Sequence, residues 1–308
     1  MPELPEVETV VRDLRPHLTG RRFASVSAGK KALRKAWKPT WGKMLVGRTV
    51  EAVRRRGKWI VLDLSGDGHL VVHLGMTGQF RVFEGSAQVE DHTHLVFRLD
   101  DGRELRFRDV RRFGSATLFA DSGSLDTFFA SVGLGPEPFD LAAGPWRAAL
   151  GKTTRSLKAL LMDQRVVAGV GNIYADEALF EAKLHPALRA NSVSAVEAER
   201  LRKAVAVVLR RAIERRGSSV RDYVDGNGRK GGYQEEHRVY QRTGEACPRC
   251  GTPVVRARLG GRSTHYCPQC QKGVRSQESG VRGQGSGVRG QGSGVRGRAP
   301  VTRRSPGS

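Results

Sequence analysis

The chain has little that would mark it as exported, membrane-bound or held together by disulfides. Its 308 residues include four cysteines, all in two C-x-x-C pairs, so no thiol is left over for disulfides elsewhere. That usage suits a reducing compartment and a metal site. There is no apolar run of the roughly 18 residues that a membrane-spanning helix needs. The start, Met1-Pro2-Glu3-Leu4-Pro5-Glu6, is acidic and lacks the apolar core of an export signal. A cytoplasmic location is therefore expected. Acidic residues are also scarce: 31 Asp and Glu face 53 Lys and Arg, for a net charge of +22.

The excess of base points to a polyanionic partner. Residues 273–308 hold seven Arg and one Glu, so +16 remains on residues 1–272. A folded part that basic favours nucleic acid, with an anionic membrane surface as the second choice. Apolar residues make up 38% of the chain, enough for folded cores, and the length suggests two domains.

Pattern changes divide the chain. Val7, Val10, Val11 and Leu14 recur at helical spacing and predict a helix over Glu6–Leu14, with Pro5 and Glu6 suited to its first turn. From Val50 to Phe119, short apolar runs such as Trp59–Leu62 and Leu70–Val72 predict strands, and Asp101-Gly102 reads as a hairpin turn. Many short strands at this spacing predict a β-sandwich or barrel. Gly133–Pro138 reads as a linker and residues 145–216 as helical, including a helix opened by the capping box Ser194–Glu197 and closed by Gly217. Within residues 273–308, a Ser-Gly-Val-Arg-Gly-Gln-Gly repeat that starts at Ser279 lacks apolar anchors, and this stretch is expected to be a disordered basic tail.

Three groups of residues carry chemistry. Cys247-x-x-Cys250 and Cys267-x-x-Cys270 supply four thiolates, the donor set of one structural zinc ion. Arg256, Arg258 and Arg262 lie between the pairs, with Gly260-Gly261 as a turn, so the hairpin tip could read phosphate. Ala168–Tyr174 contains a glycine turn leading to a helix expected to be capped by Asn172, and free amides at such a start bind phosphate. Pro2 becomes a secondary amine if Met1 is removed. A terminal amine titrates at about 7.7–8.0, so a useful fraction is neutral and nucleophilic. Taken alone, Pro2 reads as an inert terminal residue rather than a nucleophile.

In this order the motifs resemble the formamidopyrimidine-DNA glycosylase family. The resemblance spans residues 1–272. It rests on Pro2–Val10, Arg56-Gly57-Lys58, His73–Met76, Asp109–Gly114, Gly169–Tyr174 and the cysteine hairpin. Leu4, where the related endonuclease VIII branch usually has Gly, favours the purine-excising branch.

The resemblance implies an α+β fold. A β-sandwich with flanking helices would span residues 1–134, and a helix–two-turn–helix domain with a lesion-reading loop would span 135–240. A zinc finger at 241–272 and the tail at 273–308 complete the chain. It implies a glycosylase that removes oxidised purines and then cuts the strand by β,δ-elimination. Pro2 would be the nucleophile and Glu3 the acid that opens the sugar. Glu6 would be a positioning carboxylate, and Lys58 and Arg262 would assist elimination. Met76, Arg111 and Phe113 would fill the gap left by the flipped base, and His92, Arg112 and Asn172 would contact phosphates. Ser218–Gln234 matches the loop that closes over the base. Thr154 departs from a basic phosphate contact of some relatives. The expected partner is double-stranded DNA with oxidised bases, bound by a monomer in the bacterial nucleoid. Two alternatives are the oxidised-pyrimidine branch and a non-catalytic protein that binds damaged DNA.

Overall fold

The computed structural model describes residues 1–29, 31–219 and 223–273. The chain opens with α1 (Leu4–Leu18). Pro5 lies in its first turn, where a missing N–H breaks no helical bond. Val7, Val10, Val11, Leu14 and Leu18 form one buried stripe. The helix runs a turn beyond the expected end at Leu14 because Leu18 continues that stripe.

After β1 (Phe23–Ala28) and α2 (Pro39–Leu45) come β2 (Val50–Arg56), β3 (Trp59–Leu64), β4 (Gly68–His73) and β5 (Gly78–Phe83). Then follow β6 (Thr93–Leu99), β7 (Glu104–Asp109), β8 (Ser115–Phe119) and α3 (Ser122–Ser131). The strands form two antiparallel four-stranded sheets, ordered β1-β6-β7-β5 and β2-β3-β4-β8. This is the expected sandwich, and Gly102 at φ +85° makes the expected β6–β7 turn. The run Trp59–Leu64 shows why one strand can be apolar throughout. Ile60, Leu62 and Leu64 face the core shared with α1, Phe80, Phe97 and Phe107. Val61, on the other face, packs with Val71 and with Leu125 of α3.

The remaining helices are α4 (Ala143–Gly151), α5 (Leu157–Leu161), α6 (Asn172–Glu181) and α7 (Ala195–Glu214). Ser194 and Glu197 form the expected capping box at the start of α7, and Gly217 follows its end at φ +78°. A second core joins Trp146, Leu160, Tyr174, Leu179, Leu201, Val205 and Leu209. Finally β9 (Val255–Leu259) and β10 (Arg262–Tyr266) pair across Gly260-Gly261. Both glycines have positive φ, 54° and 76°, as a type I′ hairpin requires.

Helix α1 joins the two cores. Its first residue, Leu4, belongs to the helical core, while Val7 to Leu18 belong to the sandwich core. Residues 1–273 thus form one compact unit. The expectation of disorder for the repeats beyond Gly273 lies outside the described residues.

Candidate active site and metal centre

The start of α1 is received by the glycine turn before α6. Leu4 N–H donates to Gly169 O at 3.0 Å. A Cβ on Gly169, at φ +86°, would lie 2.6 Å from Leu4 Cβ, and one on Gly171 would lie 2.5 Å from Glu3 Oε1. Only glycine at both places lets Leu4 and Glu3 seat. Glu3 Oε1 then accepts the Ile173 N–H at 3.0 Å. This corrects two expectations. The residue capping α6 is Gly171, with Asn172 the first residue of the helix. The amide of Ile173 at this helix start is taken by the carboxylate of Glu3 rather than left free for a phosphate. A negative side chain there satisfies both an orphan donor and the positive end of the helix dipole.

Glu3 is buried, and its Oε2 has no hydrogen-bond partner among the described residues. Burial raises its carboxyl above the ordinary range, against the pull of the Lys58 charge and the Ile173 amide. Glu6, one turn on, accepts from Glu3 N at 2.7 Å, Tyr174 OH at 2.5 Å and Ser218 N at 2.7 Å. Burial, and then the neighbouring Glu3, raise its carboxyl too. Lys58 is also buried, and desolvation lowers its ammonium, opposed by Glu3 and Glu6. It occupies the turn between β2 and β3, which Glu137 fixes from the linker. Glu137 accepts from Arg55 Nη1 at 2.6 Å, Arg56 Nη1 at 3.0 Å and Gly57 N at 2.6 Å.

These groups open onto a cleft of about 980 Å³, which Pro2, Met76, Arg111, Asn172 and Arg262 also line. Arg262 reaches it from the first position of β10, just past the Gly260-Gly261 turn. His92, Arg112 and Phe113 are exposed and do not line the cleft. His92 stands just before β6, and Arg112 and Phe113 belong to the adjoining loop between β7 and β8, which Asp109 organises. Its buried carboxylate accepts from Thr77 Oγ1 at 2.5 Å, Arg111 N at 3.2 Å and Gly114 N at 2.7 Å, while its own N–H donates to His92 O at 3.0 Å. Arg112 is held at φ +59°, a strained geometry for a side-chain-bearing residue. The Arg111 guanidinium lies 4.7 Å from the Phe113 ring centre, and that of Arg34 lies 5.7 Å away.

Behind the hairpin, the sulfurs of Cys247, Cys250, Cys267 and Cys270 all lie within 4.8 Å of one another. Three of the spacings are 3.9 Å (Cys247–Cys270), 3.5 Å (Cys250–Cys267) and 3.4 Å (Cys250–Cys270). A tetrahedron of thiolates at about 2.3 Å from zinc has edges of about 3.8 Å. The four cysteines therefore fit one zinc ion and leave no open ligand position for chemistry.

Three family models match in register. The formamidopyrimidine-DNA glycosylase N-terminal domain matches residues 1–116, the H2TH domain of the same enzyme 134–224, and a zinc finger found in FPG and IleRS 244–273. The chain belongs to the formamidopyrimidine-DNA glycosylase family. A formamidopyrimidine-DNA glycosylase of Desulforamulus reducens is 45% identical over 278 residues, covering 88% of this chain and 99% of the relative. A Lactococcus lactis FPG mutant, solved in complex with Fapy-dG-containing DNA, superimposes at TM-score 0.82 with 36% identity, covering 88% and 100% of the two chains. MutM bound to DNA containing carbocyclic 8-oxo-G gives TM-score 0.81 at 36% identity, with the same coverage.

Several residues of this family site carried no signal in the sequence. Tyr174 lay within a recognised motif, yet only the fold brings its hydroxyl to Glu6. Lys158 sits among the leucines of α5 and looks like a stray surface lysine. It is buried, with Nζ 2.7 Å from Asp176 Oδ1 on α6 and 2.7 Å from Ser263 O on β10. Asp176 Oδ2 also accepts the His265 N–H at 2.9 Å. This buried pair ties the zinc hairpin to α6 and so sets where Arg262 stands. Lys158 and Asp176 stand on different helices, and their other partners, Ser263 and His265, lie about ninety positions or more away, so no periodicity marks them.

Proposed function

We infer that this chain is a bifunctional DNA glycosylase and abasic-site lyase that removes oxidised purines, 8-oxoguanine and formamidopyrimidines, from duplex DNA. The observation that carries the reading is the buried pair of Glu3 and Lys58 beside Pro2, in a chain matched by its family over all three modules.

Residue roles follow from the chemistry. Pro2, freed of the half-exposed Met1, supplies a secondary amine whose lone pair attacks C1′ of the damaged nucleotide. The C1′–N bond breaks and the electron pair leaves with the base. Glu3, whose carboxyl burial raises above its ordinary range, donates to the deoxyribose ring oxygen, and the sugar opens to an iminium on Pro2. Lys58 and Arg262 hold the flanking phosphates while the 3′ and then the 5′ phosphate leave by elimination. Glu6 fixes Glu3 through its backbone N–H. The base must first leave the stack, at roughly a few kcal/mol. Met76, Arg111 and Phe113 fill its place, and His92, Arg112 and Asn172 hold the backbone. A zinc ion on the four cysteines supplies structure, keeping Arg262 at the cleft.

The module boundaries we propose are residues 1–134, 135–240 and 241–272. Among the described residues no helix is long and apolar enough to cross a membrane. The enzyme would work on the chromosome in a bacterial cytoplasm. The test is borohydride reduction on a duplex with 8-oxoguanine opposite cytosine. A covalent adduct, absent with undamaged duplex, supports the reading; no adduct and no strand cut would overturn it.

A further inference from the structure

Helix α1 carries a second carboxylate towards the segment after α7. Glu6 and Asp13 are seven residues apart, two helical turns and about 10 Å along one face. Glu6 accepts the N–H of Ser218, where that segment begins. Asp13 accepts the N–H of Gly226 at 3.0 Å. The approach is close: a Cβ on Gly226 would lie 2.6 Å from Asp13 Cβ. Between these anchors stands Arg216, at φ +61° just beyond α7. Its Nη2 lies 2.6 Å from Asp13 Oδ2 and 2.5 Å from Asp225 Oδ2, and its Nε donates to Asp225 Oδ2 at 2.9 Å. Asp225 is fully buried, and its Oδ1 accepts from Asn227 N at 2.9 Å and Arg229 N at 2.8 Å. One guanidinium thus bridges two carboxylates, one on the helix that begins beside Glu3 and one in the turn Asp225–Arg229. Tyr223, which lines the cleft, hangs from the same frame, its hydroxyl donating to Glu6 O at 3.2 Å and standing 3.3 Å from Arg216 O.

We propose that Asp13, Arg216 and Asp225 form an ionic clamp of positioning residues that registers the segment Tyr223–Gly232 against α1 and thereby governs base excision but not strand cleavage. The proposal rests on the glycosylase reading above. Excision requires the base to be held while Pro2 and Glu3 act on the sugar, so a wall mounted on α1 moves with the reacting groups. An abasic site has no base to hold, and its cleavage needs only the amine, Lys58 and the phosphate contacts. Removing Arg216 would leave two carboxylates facing each other, one fully buried, and would push the segment off the helix.

The experiment compares single-turnover excision of 8-oxoguanine with cleavage of a preformed abasic site in the same duplex, using full-length protein. Arg216→Ala is expected to slow excision about tenfold or more and to leave abasic cleavage within about twofold. Arg216→Lys keeps the charge without the fork and should recover part of the loss. Asp13→Asn should shift the same ratio in the same direction by a smaller factor, and it serves as the test if Arg216→Ala does not fold. Equal loss of both reactions, or no loss of either, overturns the clamp. If the wild-type chain excises no 8-oxoguanine yet cleaves the abasic site, the substrate reading fails first and the clamp falls with it.

Discussion

The corner around Glu3 and the loop from Val110 to Gly114 are built in opposite ways. In the corner, Glu3, Glu6 and Lys58 are nearly sealed, and each is pushed toward its uncharged form by burial. In the loop, Arg111, Arg112 and Phe113 are exposed, Phe113 at 43%, while the Asp109 anchor beneath them is buried. Chemistry on a sugar needs proton donors and amines held near neutrality in a dry site. Insertion into a duplex needs side chains that stand exposed before DNA arrives. Energy is therefore stored in different places: in desolvated charge at the corner, and in a strained Arg112 and a half-exposed aromatic ring, flanked by two guanidinium groups, at the loop.

The sharpest way to break this contrast is at Glu3. Glu3→Gln should reduce base excision by about 10²- to 10⁴-fold, the range for loss of a general acid. It should not lower stability at neutral pH. A buried carboxyl with a raised pKa favours folding below its unfolded value of 4.5, and that contribution is lost as pH rises through the folded value. Removing the charge should therefore hold or raise the melting temperature near pH 7. In the wild type, excision should fall with rising pH as Glu3 deprotonates, and a single-turnover pH profile would show that limb vanish in the residual activity of the variant. A melting temperature several degrees lower would contradict the reading of Glu3 as a destabilised acid.

Next in size is the metal hairpin, which brings Arg262 to the cleft. Cys250→Ser should release the bound zinc and weaken duplex binding roughly 10- to 100-fold, the range for disturbed metal surroundings, while the sandwich stays folded. Elemental analysis and circular dichroism would check both halves. Finding no zinc in the purified wild-type protein would refute the metal assignment.

The smallest effects belong to the loop, and there the two side chains should separate. A guanidinium offers only donors, matched by O2 and N3 of cytosine but not by the amino group of adenine. Arg111→Ala should narrow the preference for 8-oxoguanine opposite cytosine over adenine, a gap of roughly ten- to a hundredfold. Phe113→Ala should slow both substrates alike, because a wedge does not read the opposite base. An unchanged ratio in Arg111→Ala would remove Arg111 from the reading role.

The two regions also differ in how far the sequence revealed them. Local signals were legible: the α1 stripe, the Asp101-Gly102 turn, the Ser194 capping box and the cysteine spacing each lie within a short window. Strand β1 was not, because Phe23 is its one fully buried side chain and an exposed edge leaves little alternation to detect. The amphipathic pattern of α3 was weak for a similar reason, since Leu125 alone is buried. The occupation of the α6 start by Glu3 was misread, because the carboxylate that fills it comes from 170 positions away. Residues proposed to act in the chemistry were legible by motif, whereas the contacts by which Tyr174, Lys158, Asp109 and Glu137 hold their neighbours emerged only from the fold.

The most direct test of the terminal-amine mechanism compares two forms of the same chain, one processed to begin at Pro2 and one retaining Met1, each confirmed by intact mass. With borohydride and an 8-oxoguanine duplex, the Pro2 form should trap covalently and the Met1 form should not. Pro2→Gly, which keeps a terminal amine, should retain part of the trapping. Equal trapping by the Met1 form would contradict the account and place the nucleophile on another residue.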